Sequence, residues 1–140
     1  MKGLVRWQQD VCFLAESESG HQVVMDGPED AGGRNQGFRP MELLLLGVGG
    51  CTSYAVVMIL KKARQSIADC QVQIDALRAD GTPAVFTKIK LHFKVVGQDL
   101  NEKHVARAVK LSAEKYCSAS LMLEAGGVDI QHTFEIVEAI

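Results

Sequence analysis

The chain has no excess of either charge and no segment typical of secretion. Its 15 basic and 17 acidic residues give a formal net charge of -2 over 140 residues. A protein that neutralises nucleic acid phosphates needs a basic excess, so we expect no nucleic acid partner. The opening residues MKGLVRWQQD contain no continuous apolar stretch of the kind that a secretory signal requires. We therefore expect a cytoplasmic, reducing environment in which structural disulfides do not persist.

Metal-binding spacings are also absent. None of the four cysteines belongs to a C-x-x-C pair, and no two of the four histidines are four residues apart. Zinc sites use such spacings, so we expect neither a metal nor another cofactor.

The most apolar part of the chain is the uncharged run of eighteen residues between Glu42 and Lys61. Its length reaches the lower bound for a membrane span. However, the run contains three glycines together with Thr52, Ser53 and Tyr54, and its flanking segments have the pattern of half-buried strands. We therefore expect a buried core helix and no membrane span, since a helix that is apolar all round is typical of a core.

Hydrophobic periodicity predicts the elements of the first half of the chain. Residues 2–9, 11–17 and 21–26 are rich in β-branched and aromatic residues and predict an antiparallel meander. Residues 26–40 contain four glycines and two prolines and predict a long loop. Pro40 suits the first turn of a helix, which we expect to extend to about Arg64.

The second half predicts a β-hairpin, helices and a last strand. Residues 70–79 and 84–97 alternate apolar and polar side chains around a turn at residues 80–83. Asn101 is a good N-cap for a helix over residues 102–116. Ser118 or Ser120 is expected to cap a short helix over residues 120–126, and a strand follows over residues 128–139. This order predicts an α+β fold.

Three short segments carry a distinctive pattern: GFRPMELLL at residues 37–45, GGCT at 49–52 and KYCSAS at 115–120. They resemble the OsmC/Ohr family (osmotically inducible protein C and organic hydroperoxide resistance proteins), and in particular a small bacterial branch with RPMELLL and GGC. The resemblance covers nearly the whole chain. It implies one OsmC-like domain over residues 1–140, with antiparallel sheets packed around long central helices in an intertwined homodimer.

The resemblance also implies a function and a set of residues. Family members are thiol-dependent peroxidases, which implies that Cys51 becomes a sulfenic acid on reaction with an organic hydroperoxide. Cys117 would then resolve it as a Cys51–Cys117 disulfide, which a dithiol, such as a lipoyl-bearing protein, would reduce. Only a thiolate attacks the O–O bond, and burial alone would raise the pKa of a cysteine. The resemblance therefore implies that an arginine activates Cys51 and that Glu42 holds this arginine, for which Arg39 and Arg34 are the candidates.

The spacing of Glu42 and Cys51 adds an inference that does not depend on the resemblance. Nine residues of straight α-helix separate two side chains by about 13.5 Å along the axis and place them on opposite faces. Either the helix breaks near residues 47–50, or Glu42 serves the Cys51 of a second subunit. We favour the composite site, since the small residues in this run permit close approach of two helices.

Two other functions fit parts of the sequence. A dimer that binds an apolar ligand without peroxidase turnover would have the same apolar lining. A hydrolase with a cysteine nucleophile elbow at residues 49–53 is disfavoured, because Ser53 stands where that motif has glycine. Cys12 and Cys70 lie on predicted strands, where we expect them to pack as small hydrophobic residues.

Overall fold

A computed structural model describes all 140 residues. Two compact units form, Met1–Leu44 and Leu45–Ile140. The elements, in chain order, are β1 (Gly3–Gln9), β2 (Cys12–Ser17), β3 (Gln22–Met25), α1 (Pro40–Lys62), β4 (Ser66–Arg78), β5 (Phe86–Gln98), α2 (Glu102–Leu111), α3 (Ser118–Ala125) and β6 (Asp129–Glu138). The predicted α+β class is confirmed.

The first unit contains the predicted meander, in which β1, β2 and β3 pair in that order and antiparallel. After β3 the glycine-rich loop returns to the sheet, where the Phe38 N–H donates to the carbonyl of Val24 at 3.0 Å. Gly37 permits this return, because a Cβ atom there would collide with the backbone of Val24. The loop is therefore tied to the sheet at the point where α1 begins.

Helix α1 begins at Pro40, as predicted, and ends at Lys62, shortly before Arg64 adopts a left-handed conformation with φ of 56°. It is continuous through residues 47–50, so the glycines do not break it. Its length and its mean hydropathy of 2.1 would suffice for a membrane span. Of its most apolar stretch of 18 residues, 33% is buried within the chain. Gly49 faces Ile74 and Val72 of β4, which lets this face of α1 pack closely on the second sheet.

The second sheet has the order β4-β5-β6 and is mixed. β4 and β5 form the predicted hairpin, although β4 begins at Ser66 rather than at Cys70. β6 pairs parallel to β5, and the helical connection between them is long enough to permit this parallel crossover. Alternate residues of β5 form the core, and four of them are almost completely buried: Ile89, Leu91, Phe93 and Val95.

The connection between β5 and β6 differs from the prediction in two places. Asn101 caps α2 as predicted, its side chain accepting from the Lys103 N–H at 2.9 Å, but α2 ends at Leu111 and a π-helical turn occupies Ser112–Tyr116. The predicted serine cap of α3 was wrong. Cys117 is the cap, because its backbone is extended and its sulfur accepts from the Ser120 N–H at 3.4 Å.

Candidate active site

Cys51 lies near the middle of α1 and is half-buried. Its side chain lines an open cleft of about 770 Å³ between α1 and the segment that contains α2 and the π-helical turn. The cleft is lined by Cys51, Tyr54, Ala55, Met58, Ile59, Lys62, Ala63, His104, Arg107, Leu111 and Tyr116. A small molecule in this cleft can therefore reach the Cys51 thiol.

Cys117 is completely buried and lies close to Cys51. The two thiols are close enough for Cys51 to affect the pKa of Cys117, and both cysteines are free. Burial raises the pKa of the Cys117 thiol, and the neighbouring Cys51 adds to this effect, while hydrogen bonds from Ser120 oppose it. The structure thus brings together one accessible thiol and one enclosed thiol that favours its protonated form.

Two hydrogen bonds explain how α2 brings the distant cysteines together. At the start of α2 the Asn101 N–H donates to the Gln65 side chain, just beyond α1, at 2.8 Å. At the other end the Ser112 hydroxyl donates to the carbonyl of Thr52 at 3.0 Å. Helix α2 therefore runs antiparallel to α1 and delivers the π-helical turn, and with it Cys117, beside Cys51.

Three basic side chains line the cleft, and none of them was predicted as a site residue from the sequence. Lys62, His104 and Arg107 form no ion pair with a carboxylate of this chain. A signal was present in the helical spacing. His104, Arg107 and Leu111 recur at intervals of three and four residues, which places them on one face of α2.

The predicted carboxylate, Glu42, has a different partner within its own chain. Its Oε1 atom accepts from the backbone N–H of Arg39 at 2.7 Å, which is one half of a capping box at the start of α1. The Arg39 guanidinium donates instead to Asn35 and to the carbonyl of Gly37. Arg34 lies 3.5 Å from a carboxylate oxygen of Asp10. Neither candidate guanidinium pairs with Glu42 within one chain, so their role stays a prediction.

Both arginines belong to a loop that Asp26 organises. This buried carboxylate accepts hydrogen bonds from the backbone N–H groups of Gly27, Arg34 and Gln36. Burial alone would raise the pKa of Asp26, but the three backbone donors, helped by the charge of Arg39, lower it overall. The loop positions of Arg34 and Arg39 are therefore fixed through an ionised Asp26.

The remaining cysteines and the hydrolase alternative can be judged from the geometry. Cys12 and Cys70 are half-buried on β2 and β4, and burial raises the pKa of the Cys70 thiol. This fits the packing role predicted for both. Cys51 lies inside a helix rather than at a sharp strand-to-helix turn, so the predicted mismatch with a nucleophile elbow is confirmed. No three potential metal ligands cluster in the structure.

Known proteins with the same features identify the family. The family model for OsmC-like protein matches residues 33–133. The chain belongs to the OsmC-like family. Protein YhfA of Escherichia coli strain K12 is 48% identical over 142 residues, covering 99% of this chain and 100% of YhfA. The resemblance drawn from the three sequence segments is thereby confirmed.

Solved structures extend the OsmC-like comparison. A hypothetical protein from Aquifex aeolicus VF5 is 28% identical, with a TM-score of 0.86 over 99% of this chain and 97% of that one. An organic hydroperoxide resistance protein OsmC from Legionella pneumophila is 18% identical, with a TM-score of 0.72 over 96% of this chain and 95% of that one. At that identity the likeness shows the shared OsmC-like fold.

Proposed function

We propose that this protein is a thiol-dependent peroxidase that reduces organic hydroperoxides. The observation that carries the proposal is that Cys51, which opens onto a cleft, lies close to the completely buried Cys117. The family membership supports it, as do structural neighbours named organic hydroperoxide resistance proteins. An accessible thiol backed by a second thiol is the arrangement that a two-cysteine peroxidase needs.

The difference in burial supports a separate role for each cysteine. Cys51 meets the hydroperoxide, because its thiol lines the cleft, and it becomes the sulfenic acid. Cys117 resolves the sulfenic acid to a Cys51–Cys117 disulfide, since it lies close to Cys51 and is shielded from the peroxide. A dithiol reductant in a reducing cytoplasm, with a lipoyl-bearing protein as the candidate, then restores both thiols.

The cleft lining indicates the substrate class. Tyr54, Met58, Ile59 and Leu111 give the wall beside Cys51 a largely apolar surface. An alkyl or aryl group gains binding free energy on such a surface, whereas hydrogen peroxide has no group to place there. We therefore expect organic hydroperoxides to be preferred over hydrogen peroxide.

An assay of turnover separates this function from ligand binding alone. Cumene hydroperoxide and hydrogen peroxide are compared as substrates, with dihydrolipoamide and dithiothreitol as alternative reductants. A peroxidase consumes cumene hydroperoxide continuously and prefers it. A dimer that only binds an apolar ligand shows saturable binding of cumyl alcohol but no turnover, and that result would refute the proposed function.

The active form is proposed to be a homodimer with composite sites. Helix α1 leaves a stripe of Leu46, Tyr54 and Met58 exposed at 50%, 71% and 37%, and a Cβ atom on Gly50 would meet open space. In the first unit Trp7 of β1 is 67% exposed. Such apolar faces are typical of surfaces that a second copy covers. Since α1 is unbroken at residues 47–50, we assign Glu42 and an arginine to the Cys51 of the partner.

Subunit mixing tests the composite site. A Cys51→Ser subunit is combined with a Glu42→Ala subunit, each of which is expected to be nearly inactive alone. One of the two sites in the heterodimer then has both residues intact, so activity should return. Heterodimers no more active than their parents, or a monomer at micromolar concentration in analytical ultracentrifugation, would contradict the composite site.

A further inference from the structure

Ser112 links the two segments that carry the cysteines. It is completely buried at the junction between α2 and the π-helical turn. Its hydroxyl donates to the carbonyl of Thr52, the residue after Cys51, at 3.0 Å. Its own carbonyl accepts from the N–H of Cys117 at 2.9 Å. One residue is therefore bonded to the neighbour of Cys51 and to Cys117 itself.

The second of these bonds defines the π-helical turn. It joins the Ser112 carbonyl to an N–H five residues later, whereas an α-helix would use the residue four positions later. Single π-helical turns often occur at functional sites. Here the turn ends α2 and places Cys117 in an extended conformation at the start of α3. The position of the Cys117 thiol thus depends on a turn that Ser112 anchors to α1.

We propose that Ser112 is a positioning residue for disulfide formation, an inference that rests on the proposed peroxidase function. In the first step the Cys51 thiolate attacks the terminal peroxide oxygen. An S–O bond forms, the O–O bond breaks, and the alkoxide takes a proton to leave as an alcohol. This step uses an accessible thiol and does not involve Ser112.

In the second step the Cys117 thiol loses a proton and its sulfur attacks the Cys51 sulfur. An S–S bond forms, the S–O bond breaks, and the departing hydroxide takes the proton to become water. Because Cys117 is completely buried, its thiol has little freedom to move toward Cys51. The attack therefore depends on where the π-helical turn holds the thiol. Ser112 therefore controls the second step and not the first.

The main test compares Ser112→Ala with Thr52→Val. Thr52 is also completely buried, but its hydroxyl donates only to the carbonyls of Val48 and Gly49 inside α1. Thr52→Val consequently removes a buried hydroxyl beside Cys51 and keeps the carbonyl that Ser112 binds. The two variants differ in whether the link between α1 and the π-helical turn is lost.

Each protein is mixed rapidly with one equivalent of cumene hydroperoxide. The loss of peroxide and the lifetime of the sulfenic acid are then measured, by chemical trapping and mass spectrometry. Ser112→Ala should consume peroxide at the wild-type rate but form the disulfide about tenfold more slowly, since small displacements of reacting groups are costly. Thr52→Val should match the wild type in both steps.

A matched pair at position 112 guards against a folding defect in the alanine variant. Ser112→Thr keeps the hydroxyl, and valine has nearly the same shape as threonine but no hydroxyl. At equal folded fraction, only the Ser112→Val variant should therefore accumulate sulfenic acid. Wild-type disulfide formation in Ser112→Ala, or equal behaviour of the threonine and valine variants, would overturn the role of Ser112. Failure of the wild type to consume peroxide would instead refute the proposed function.

Discussion

Oxidation of the two cysteines should stabilise the fold by an amount that the sequence separation sets. The perturbation is one equivalent of cumene hydroperoxide added to the reduced protein, which should join Cys51 to Cys117. The two residues are 66 positions apart. In the chain-entropy model, closing a loop of that length in the unfolded chain stabilises the native state by up to about 4 kcal/mol.

The expected gain is smaller than this limit but still large. Native disulfides typically contribute about 2–4 kcal/mol. Because the two thiols are already close together in the reduced protein, we expect the crosslink to require little rearrangement. For a chain of this size each kcal/mol shifts Tm by about 3 °C, so Tm should rise by about 6–12 °C.

Differential scanning calorimetry of reduced and peroxide-treated protein measures this shift. Cys117→Ser provides the control, because it can form the sulfenic acid but not the internal disulfide. An unchanged or lower Tm in the oxidised wild type would refute the reasoning, as would an equal rise in the Cys117→Ser variant. The first result would mean that the crosslink distorts the native fold, and the second that oxidation elsewhere stabilises it.

Two further predictions concern charge. Glu42→Gln keeps an oxygen that can accept from the Arg39 N–H, so the start of α1 should be preserved while the interaction with an arginine weakens. Alkylation of Cys51 by iodoacetamide should then require a higher pH. An unchanged pH profile of alkylation would exclude an electrostatic role for Glu42. The Nε2 atom of His132 is buried and has no hydrogen-bond partner, and burial lowers the pKa of this histidine below its ordinary 6.5. The unfolded chain therefore binds more protons than the folded one, so the free energy of unfolding should fall as pH drops below 6.5. Urea unfolding between pH 5 and 8 should show that loss in the wild type and a smaller one in His132→Leu, and identical pH dependence would exclude His132 as its source.

Much of the fold could be predicted because local signals agree with it. Pro40 and Asn101 mark helix starts by their backbone chemistry, and β5 alternates buried and exposed residues as its sequence does. The orientation of β6 and the end of α2 could not be predicted in this way. Both depend on tertiary packing. The direction of β6 is set by its pairing with β5, and the π-helical turn that ends α2 is held by the hydrogen bond from Ser112 to α1.

The candidate site was predicted unevenly for a similar reason. Cys51 and Cys117 were identified from motifs, but only the antiparallel arrangement of α1 and α2 brings them close together. The basic residues on the cleft wall carry no motif, because basic side chains on a helix surface are usually solvated. The sequence predicted no role at the site for Ser112 either, since only its two hydrogen bonds distinguish it from any other serine in a helix.

The most direct test of the peroxidase mechanism is a single-turnover experiment read by mass spectrometry. Wild-type protein treated with one equivalent of cumene hydroperoxide should lose two hydrogen atoms and yield a peptide that joins Cys51 to Cys117. Cys117→Ser should gain one oxygen atom on Cys51, and Cys51→Ser should remain unmodified and leave the peroxide intact. Peroxide consumption by Cys51→Ser with oxidation of Cys117, or no reaction in the wild type, would contradict the account.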